Sequence, residues 1–156
     1  MPRVLIVGFG NPLRSDDGLG WHAAQELSQE VSAPEVKVIR AHQLTPELAE
    51  EASAAELVLF IDAREGSPPG DIRCEAIHLD DAPSEASLHS HDLRPVTILQ
   101  LAMELYGFSP RAFLLTVAGE QFEDGDSLSE AVRSAMPKLI AQVKTLISTG
   151  LLGPGQ

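Results

Sequence analysis

Residues 4–18 read VLIVGFGNPLRSDDG, and this stretch decides the fold. Its first residues, Val4 to Val7, are apolar and mostly β-branched, which is typical of a strand buried on both faces of a parallel sheet. Two glycines follow and allow the chain to turn tightly. Asp16 and Asp17 then stand where a helix begins, so we expect one of them to cap that helix. The stretch predicts a strand, a turn and a helix, with two acids at the turn.

Strands and helices are predicted to alternate through the rest of the chain. Further apolar runs indicate strands at Val36–Ile39, Leu57–Ile61, Ile72–Ile77 and Phe113–Val117. Helical spacing and end signals indicate helices at about 18–29, from Thr45 to about Ser53, at Leu93–Tyr106, and after a capping box of Ser127 and Glu130. We therefore expect an α/β protein, a three-layer α/β/α sandwich around a mostly parallel twisted sheet of about five strands.

One strand is expected to break the parallel pattern. Asp62 is expected to close the third strand, and the residues from Ala63 to Asp71 are too few for a crossover helix. The strand that follows should therefore be antiparallel to its neighbour and lie near an edge of the sheet.

The acids after the first and third strands suggest a site. In the commonest small fold of this type these strands are neighbours, in the order 2-1-3, and ligands bind beyond their carboxyl ends. Asp17 and Asp62 should then converge, and either His89 or His91, from the polar loop before the third helix, can join them. Carboxylates and imidazole suit a labile divalent ion such as Ni²⁺, Mn²⁺ or Zn²⁺, or acid–base chemistry. The alternative is that the two aspartates are only cap and turn residues.

Other kinds of site fit the residues less well. A dinucleotide fingerprint fails because Leu13 replaces its third glycine and no acid follows the second strand. Cys74 lies within a strand without basic neighbours, so a structural role is expected rather than a nucleophilic one. The remaining histidines are expected to be solvated: His22, His42 and His78.

Composition limits the class of protein. A chain of 156 residues with 44% hydrophobic content is expected to form one domain over residues 1–150, with a loose tail at 151–156. The net charge of −12 argues against binding to nucleic acid or to an anionic membrane. A single cysteine and the lack of a signal-like apolar segment predict a cytoplasmic location.

Several of these segments, taken in order, resemble the nickel–iron hydrogenase maturation proteases. The segments are GFGNPL at 8–13, DDGLG at 16–20, LFIDA at 59–63, SHDL at 90–93, AGE at 118–120 and LSEAV at 128–132. Members of this family remove a C-terminal extension from the precursor of the hydrogenase large subunit. The segment at 40–45, RAHQLT, departs from the glycine-rich turn of many relatives.

The resemblance implies a function and a set of residues. It implies an aspartyl-type endopeptidase whose metal-contacting and catalytic residues are Asp17, Asp62 and His91, with Asp16 as a cap that supports them. The resemblance further implies that the metal is Ni²⁺ carried by the substrate, and that such a protease tests whether loading is complete before it cuts. Two alternatives remain: a nickel-binding checkpoint or carrier without hydrolytic activity, and a small-ligand binding domain.

Overall fold

The computed structural model describes residues 3–81 and 93–151. Within these ranges the strands are β1 (Val4–Phe9), β2 (Val36–Ala41), β3 (Leu57–Arg64), β4 (Ile72–Ala76) and β5 (Arg111–Ala118). The α-helices in the same ranges are α1 (Leu19–Glu30), α2 (Leu48–Ser53), α3 (Pro95–Tyr106) and α4 (Glu130–Leu151). Short 3₁₀ turns lie at Ser15–Gly18 and Leu79–Asp81. The predicted elements are thus present, with ends that differ by a few residues.

The strands form one mixed sheet in the order β2-β1-β3-β5-β4. β1 pairs in parallel with both β2 and β3, and β3 pairs in parallel with β5. β4 lies at the edge and is antiparallel to β5, with Ile72 opposite Val117. The expected 2-1-3 order and the antiparallel edge strand are both confirmed.

Helices cover both faces of the sheet. Along β1 the side chains alternate between two apolar clusters, because successive residues of a strand point to opposite faces. Val4 and Ile6 pack in the cluster that includes residues of α1 and α4, whereas Leu5 and Val7 pack in the cluster that includes residues of α2 and α3. This arrangement explains the uninterrupted apolar run in the sequence and confirms the three-layer sandwich.

α1 starts in close contact with the ends of the central strands. A Cβ atom added at Gly20 would collide with the backbone carbonyl oxygens of Ile61 and Phe9, and one added at Gly8 would collide with that of Gly20. The two glycines therefore let the helix approach the carboxyl ends of β1 and β3. This approach places the 3₁₀ turn that carries Asp17 at the same edge of the sheet.

Two predicted element ends are wrong. Asp62 does not close β3, because the strand continues to Arg64 through pairing with β5, while its pairing with β1 stops at Ile61. Ser127 and Glu130 form no capping box. The hydroxyl of Ser129 instead accepts a hydrogen bond from the Val132 N–H at 3.4 Å, at the first turn of α4.

Some predictions fall on parts of the chain outside the described residues. Most of the polar loop expected before the third helix lies there, and so do residues 152–156 of the expected tail. None of the helices in the described ranges is long and apolar enough to cross a membrane.

Candidate active site

A cavity of about 200 Å³ opens at the carboxyl ends of β1 and β3. Both Asp17 and Asp62 line it, so the structure brings the two predicted acids together. We call it the aspartate cavity. Its other lining residues are Phe9, Gly10, His42, Gln43, Leu44, Leu93 and Arg94.

The turn after β1 holds the Asp17 carboxylate in place. One carboxylate oxygen, Oδ2, accepts a hydrogen bond of 2.9 Å from the Asn11 N–H. The Asn11 side chain in turn accepts a hydrogen bond of 2.9 Å from the Leu13 N–H. Gly10 has a φ of 144°, and a Cβ at that position would collide with the backbone oxygen of Asp17. The glycine and the asparagine of the motif therefore set the position of this acid.

Asp62 has a strongly perturbed pKa. The pKa of its carboxyl group is raised to about 7, mainly because the group is buried. A hydrogen bond from the Ala63 N–H acts in the opposite direction and lowers the pKa. The negative charge of Asp17 raises it further. The Ala63 N–H lies 2.8 Å from Oδ1 of Asp62. A carboxyl group with a pKa near neutrality is able to take up and release a proton at working pH, as a general base requires.

Asp16 does not cap α1, contrary to expectation. The residue at the cap position of that helix is Gly18, and no side chain caps it. The fully buried carboxylate of Asp16 instead accepts hydrogen bonds from three backbone N–H groups far along the chain: Glu120 (2.8 Å), Gln121 (3.0 Å) and Ser129 (2.7 Å). Burial by itself raises the pKa of Asp16, but these hydrogen bonds together outweigh it and lower the pKa.

Further contacts join the same two segments, residues 13–16 and 120–129. The Ser15 hydroxyl donates to the Glu123 carbonyl at 2.8 Å, and the Ser15 N–H donates to the Gly125 carbonyl at 2.8 Å. The Arg14 guanidinium donates to the Phe122 carbonyl at 3.2 Å. We call these contacts, together with the three hydrogen bonds that Asp16 accepts, the clamp. It holds Ser15 at a φ of 50° and so supports the turn that carries Asp17.

Comparison with known proteins decides the family. The HycI family model, described as hydrogenase maturation protease, matches residues 21–146. The chain belongs to this family. Members of the family are hydrogenase maturation endopeptidases, and this protein is one of them.

Individual relatives agree with that assignment. The hydrogenase expression/formation protein HoxM of Azotobacter vinelandii is 29% identical over 161 residues, which cover 97% of this chain and 75% of HoxM. The fold matches the hydrogenase maturating endopeptidase HybD from E. coli with a TM-score of 0.73 at 20% identity, over 95% of this chain and 94% of that one. It also matches the maturation protease HycI from Thermococcus kodakarensis with a TM-score of 0.72 at 23% identity, over 94% and 92% of the two chains.

His42 is a further residue of the aspartate cavity, and the sequence analysis does not predict it there. It is exposed, as expected, but it lines the aspartate cavity, and its ring lies 4.9 Å from the ring of Trp21. The Arg40 guanidinium lies 4.9 Å from the same Trp21 ring. A usable signal was available, because His42 directly follows β2 and parallel strands end at one edge of the sheet. The other two histidines expected to be solvated differ: His78 is exposed, whereas His22 is half-buried and burial lowers its pKa.

The described part of the protease contributes two acids but no complete metal site. Over residues 3–81 and 93–151 no group of three or more His, Cys, Asp or Glu residues is arranged to hold a metal ion. The predicted third ligand, His91, and its alternative, His89, lie outside these ranges. Cys74 is a poor nucleophile, because burial and then the charge of Glu75 raise the pKa of its thiol.

Proposed function

We propose that this protease removes the C-terminal extension from the precursor of a nickel–iron hydrogenase large subunit once nickel has been inserted. The observation that carries the proposal is the shared cavity of Asp17 and Asp62, in which Asp62 has a pKa of about 7. The family assignment supports the substrate class. The sequence segments at 8–20 and 90–93 resemble those of nickel–iron hydrogenase maturation proteases. This resemblance supports nickel as the metal that is recognised.

In this proposal Asp17, Asp62 and His91 contact the nickel that the substrate carries. Carboxylate oxygens and an imidazole nitrogen are suitable ligands for such an ion. The two acids face one cavity, and Leu93, two residues after His91 in the chain, lines that cavity. Nickel belongs to the substrate, so contact with it reports that loading is complete and brings the bond to be cut into the cavity.

Of the two acids in the cavity, Asp62 is the one that we assign as the general base, because its pKa is about 7. It takes a proton from a water molecule as the water oxygen bonds to the carbonyl carbon of the peptide bond. The proton then passes to the nitrogen of the departing extension as the carbon–nitrogen bond breaks. The protease is of aspartyl type in this account, because a side-chain carboxyl group moves the proton and no side chain bonds covalently to the substrate.

In the same proposal the protease is cytoplasmic and acts on a protein partner, and it does not bind nucleic acid or membrane. The net charge of −12 supports the exclusion of anionic partners.

The nickel requirement is tested by incubating the protease with its cognate precursor in nickel-loaded and nickel-free form. Intact mass spectrometry measures loss of the extension, and a sample without protease controls for other cleavage. We expect loss only from the loaded precursor, and we expect His91→Ala to abolish it. Equal loss from both forms would contradict nickel recognition. Binding of the loaded precursor without cleavage would contradict hydrolysis and favour a checkpoint protein.

A further inference from the structure

A second cavity, of about 170 Å³, lies between the end of β4 and the start of α3. Most of its lining is apolar: Ala76, Ile77, Pro95, Val96 and Leu114. Glu75, His78 and Arg94 complete the lining. Arg94 also lines the aspartate cavity. The two cavities therefore adjoin at Arg94, and we call the second one the Arg94 cavity.

The backbone of Arg94 is fixed, whereas none of the acids at 3–81 or 93–151 forms an ion pair with its side chain. Its N–H donates to the Thr97 hydroxyl at 3.4 Å, and its carbonyl accepts the Thr97 N–H at 2.9 Å, at the start of α3. The side chain is exposed and forms no ion pair with any acid that the structure describes.

An arginine that pairs with none of the described acids and lies beside an apolar cavity has a clear chemical preference. A guanidinium binds carboxylates through two parallel hydrogen bonds, and a small apolar cavity takes an aliphatic side chain. In a protein with a net charge of −12, the exposed Arg94 side chain next to the aspartate cavity provides a local attraction for an acidic group. An extended peptide that passes from one cavity to the other would offer both groups.

We propose that Arg94 and the Arg94 cavity form a second binding site for the substrate polypeptide. Arg94 takes a carboxylate and the cavity takes an apolar side chain, both from the peptide that adjoins the bond to be cut. This site rests on the proposed function, because it assumes that the peptide bond reacts in the aspartate cavity. Its role is binding, so its loss should affect KM and not kcat.

The test compares Arg94→Gln with Lys138→Gln on the cognate nickel-loaded precursor. Lys138 is an exposed residue of α4, and its substitution changes the net charge equally. We expect Arg94→Gln to raise KM about tenfold or more, as for loss of a charge-assisted hydrogen bond, with little change in kcat. Lys138→Gln should leave both values unchanged. Equal values for the two variants would overturn the proposal.

Substrate variants identify the carboxylate. In one series each Asp or Glu near the cleaved bond is replaced by Asn or Gln, and in a second the C-terminal carboxylate of a synthetic extension peptide is amidated. We expect one of these substrate changes to weaken binding of the peptide to the wild-type protease but not to the Arg94→Gln variant. If no carboxylate behaves in this way, the pairing with Arg94 is wrong. Binding is measured with a fluorescently labelled peptide, so this result stands apart from cleavage and from the proposed function.

The apolar half of the site is tested by filling it. Ala76→Phe should occupy the cavity and weaken peptide binding, whereas Ala76→Ser keeps the cavity open and should bind as the wild type does. Circular dichroism and thermal unfolding verify that both variants fold. Equal binding by two folded variants would contradict a role for the cavity.

Discussion

Asp17 and Asp62 line one cavity, although Asp17 lies in the turn before α1 and Asp62 lies within β3. The sheet order brings them together, because β1 and β3 are paired neighbours. Burial is the main cause of the raised pKa of Asp62, and the charge of Asp17 adds to it. A carboxyl group that exchanges a proton near neutral pH therefore lies beside a second, negatively charged acid.

The raised pKa of Asp62 predicts a pH dependence of stability. The folded protein keeps a proton on Asp62 up to about pH 7, whereas the unfolded chain releases it near pH 4, so the folded state binds more protons in between. The free energy of unfolding should therefore fall as pH rises from about 4 to about 7, by at most about 1.4 kcal/mol per pH unit from this group. Below about pH 4 the stabilising contribution of the protonated Asp62 is fully present.

Asp62→Asn should remove this contribution. We expect the variant to be more stable than the wild type above about pH 7, and we expect the difference to shrink towards about pH 4. Urea unfolding across this pH range measures both proteins. Asp124→Asn, at an exposed acid, is the control and should follow the wild type. Identical pH dependence for wild type and Asp62→Asn would contradict the raised pKa.

The clamp predicts a stabilising role for Asp16. Asp16→Asn leaves one side-chain oxygen for three N–H groups, so at least one N–H that faces the buried Asp16 side chain loses its partner. We expect a loss of about 1–3 kcal/mol in the free energy of unfolding. Asp126→Asn, at an exposed acid in the same segment, should change it by less than about 0.5 kcal/mol. Urea unfolding provides both values, and an Asp16→Asn protein as stable as the control would show that the clamp contributes little.

Much of the fold could be predicted from local sequence, but the clamp could not. The apolar runs predict the central strands β1 and β3, and the commonest fold of this type supplies the 2-1-3 order. The short link before β4 predicts an antiparallel strand near the edge, but the position of β5 between β3 and β4 is not predicted. Asp16, in contrast, looks like a helix cap from its position, and its actual partners, Glu120 to Ser129, lie more than a hundred residues away. The end of β3 is not predicted for a similar reason, because its pairing with the distant strand β5 continues after its pairing with β1 has stopped. The position of His42 at the cavity could be predicted from the sequence, because His42 directly follows β2 and the carboxyl ends of parallel strands lie at one edge of the sheet.

Close packing of α1 predicts that Gly20 tolerates no side chain. An alanine Cβ there would meet the backbone oxygens of Ile61 and Phe9, which cannot move aside without disturbing both strands. We expect Gly20→Ala to destabilise the protein by about 3 kcal/mol or more. The control is Gly107→Asn, because Gly107 has a φ of 77° with open space around it, and asparagine adopts that conformation at little cost. Thermal unfolding compares the two, and similar melting temperatures would contradict the close approach.

The central claim is that the two acids of the aspartate cavity carry out the cleavage. The most direct measurement is the single-turnover rate at which Asp62→Asn cuts the nickel-loaded precursor, with Asp124→Asn as the control and circular dichroism as the check on folding. Loss of a general base predicts a rate at least about 100-fold below that of the wild type, with the control unchanged. A folded Asp62→Asn protein that cuts within about threefold of the wild-type rate would contradict the account.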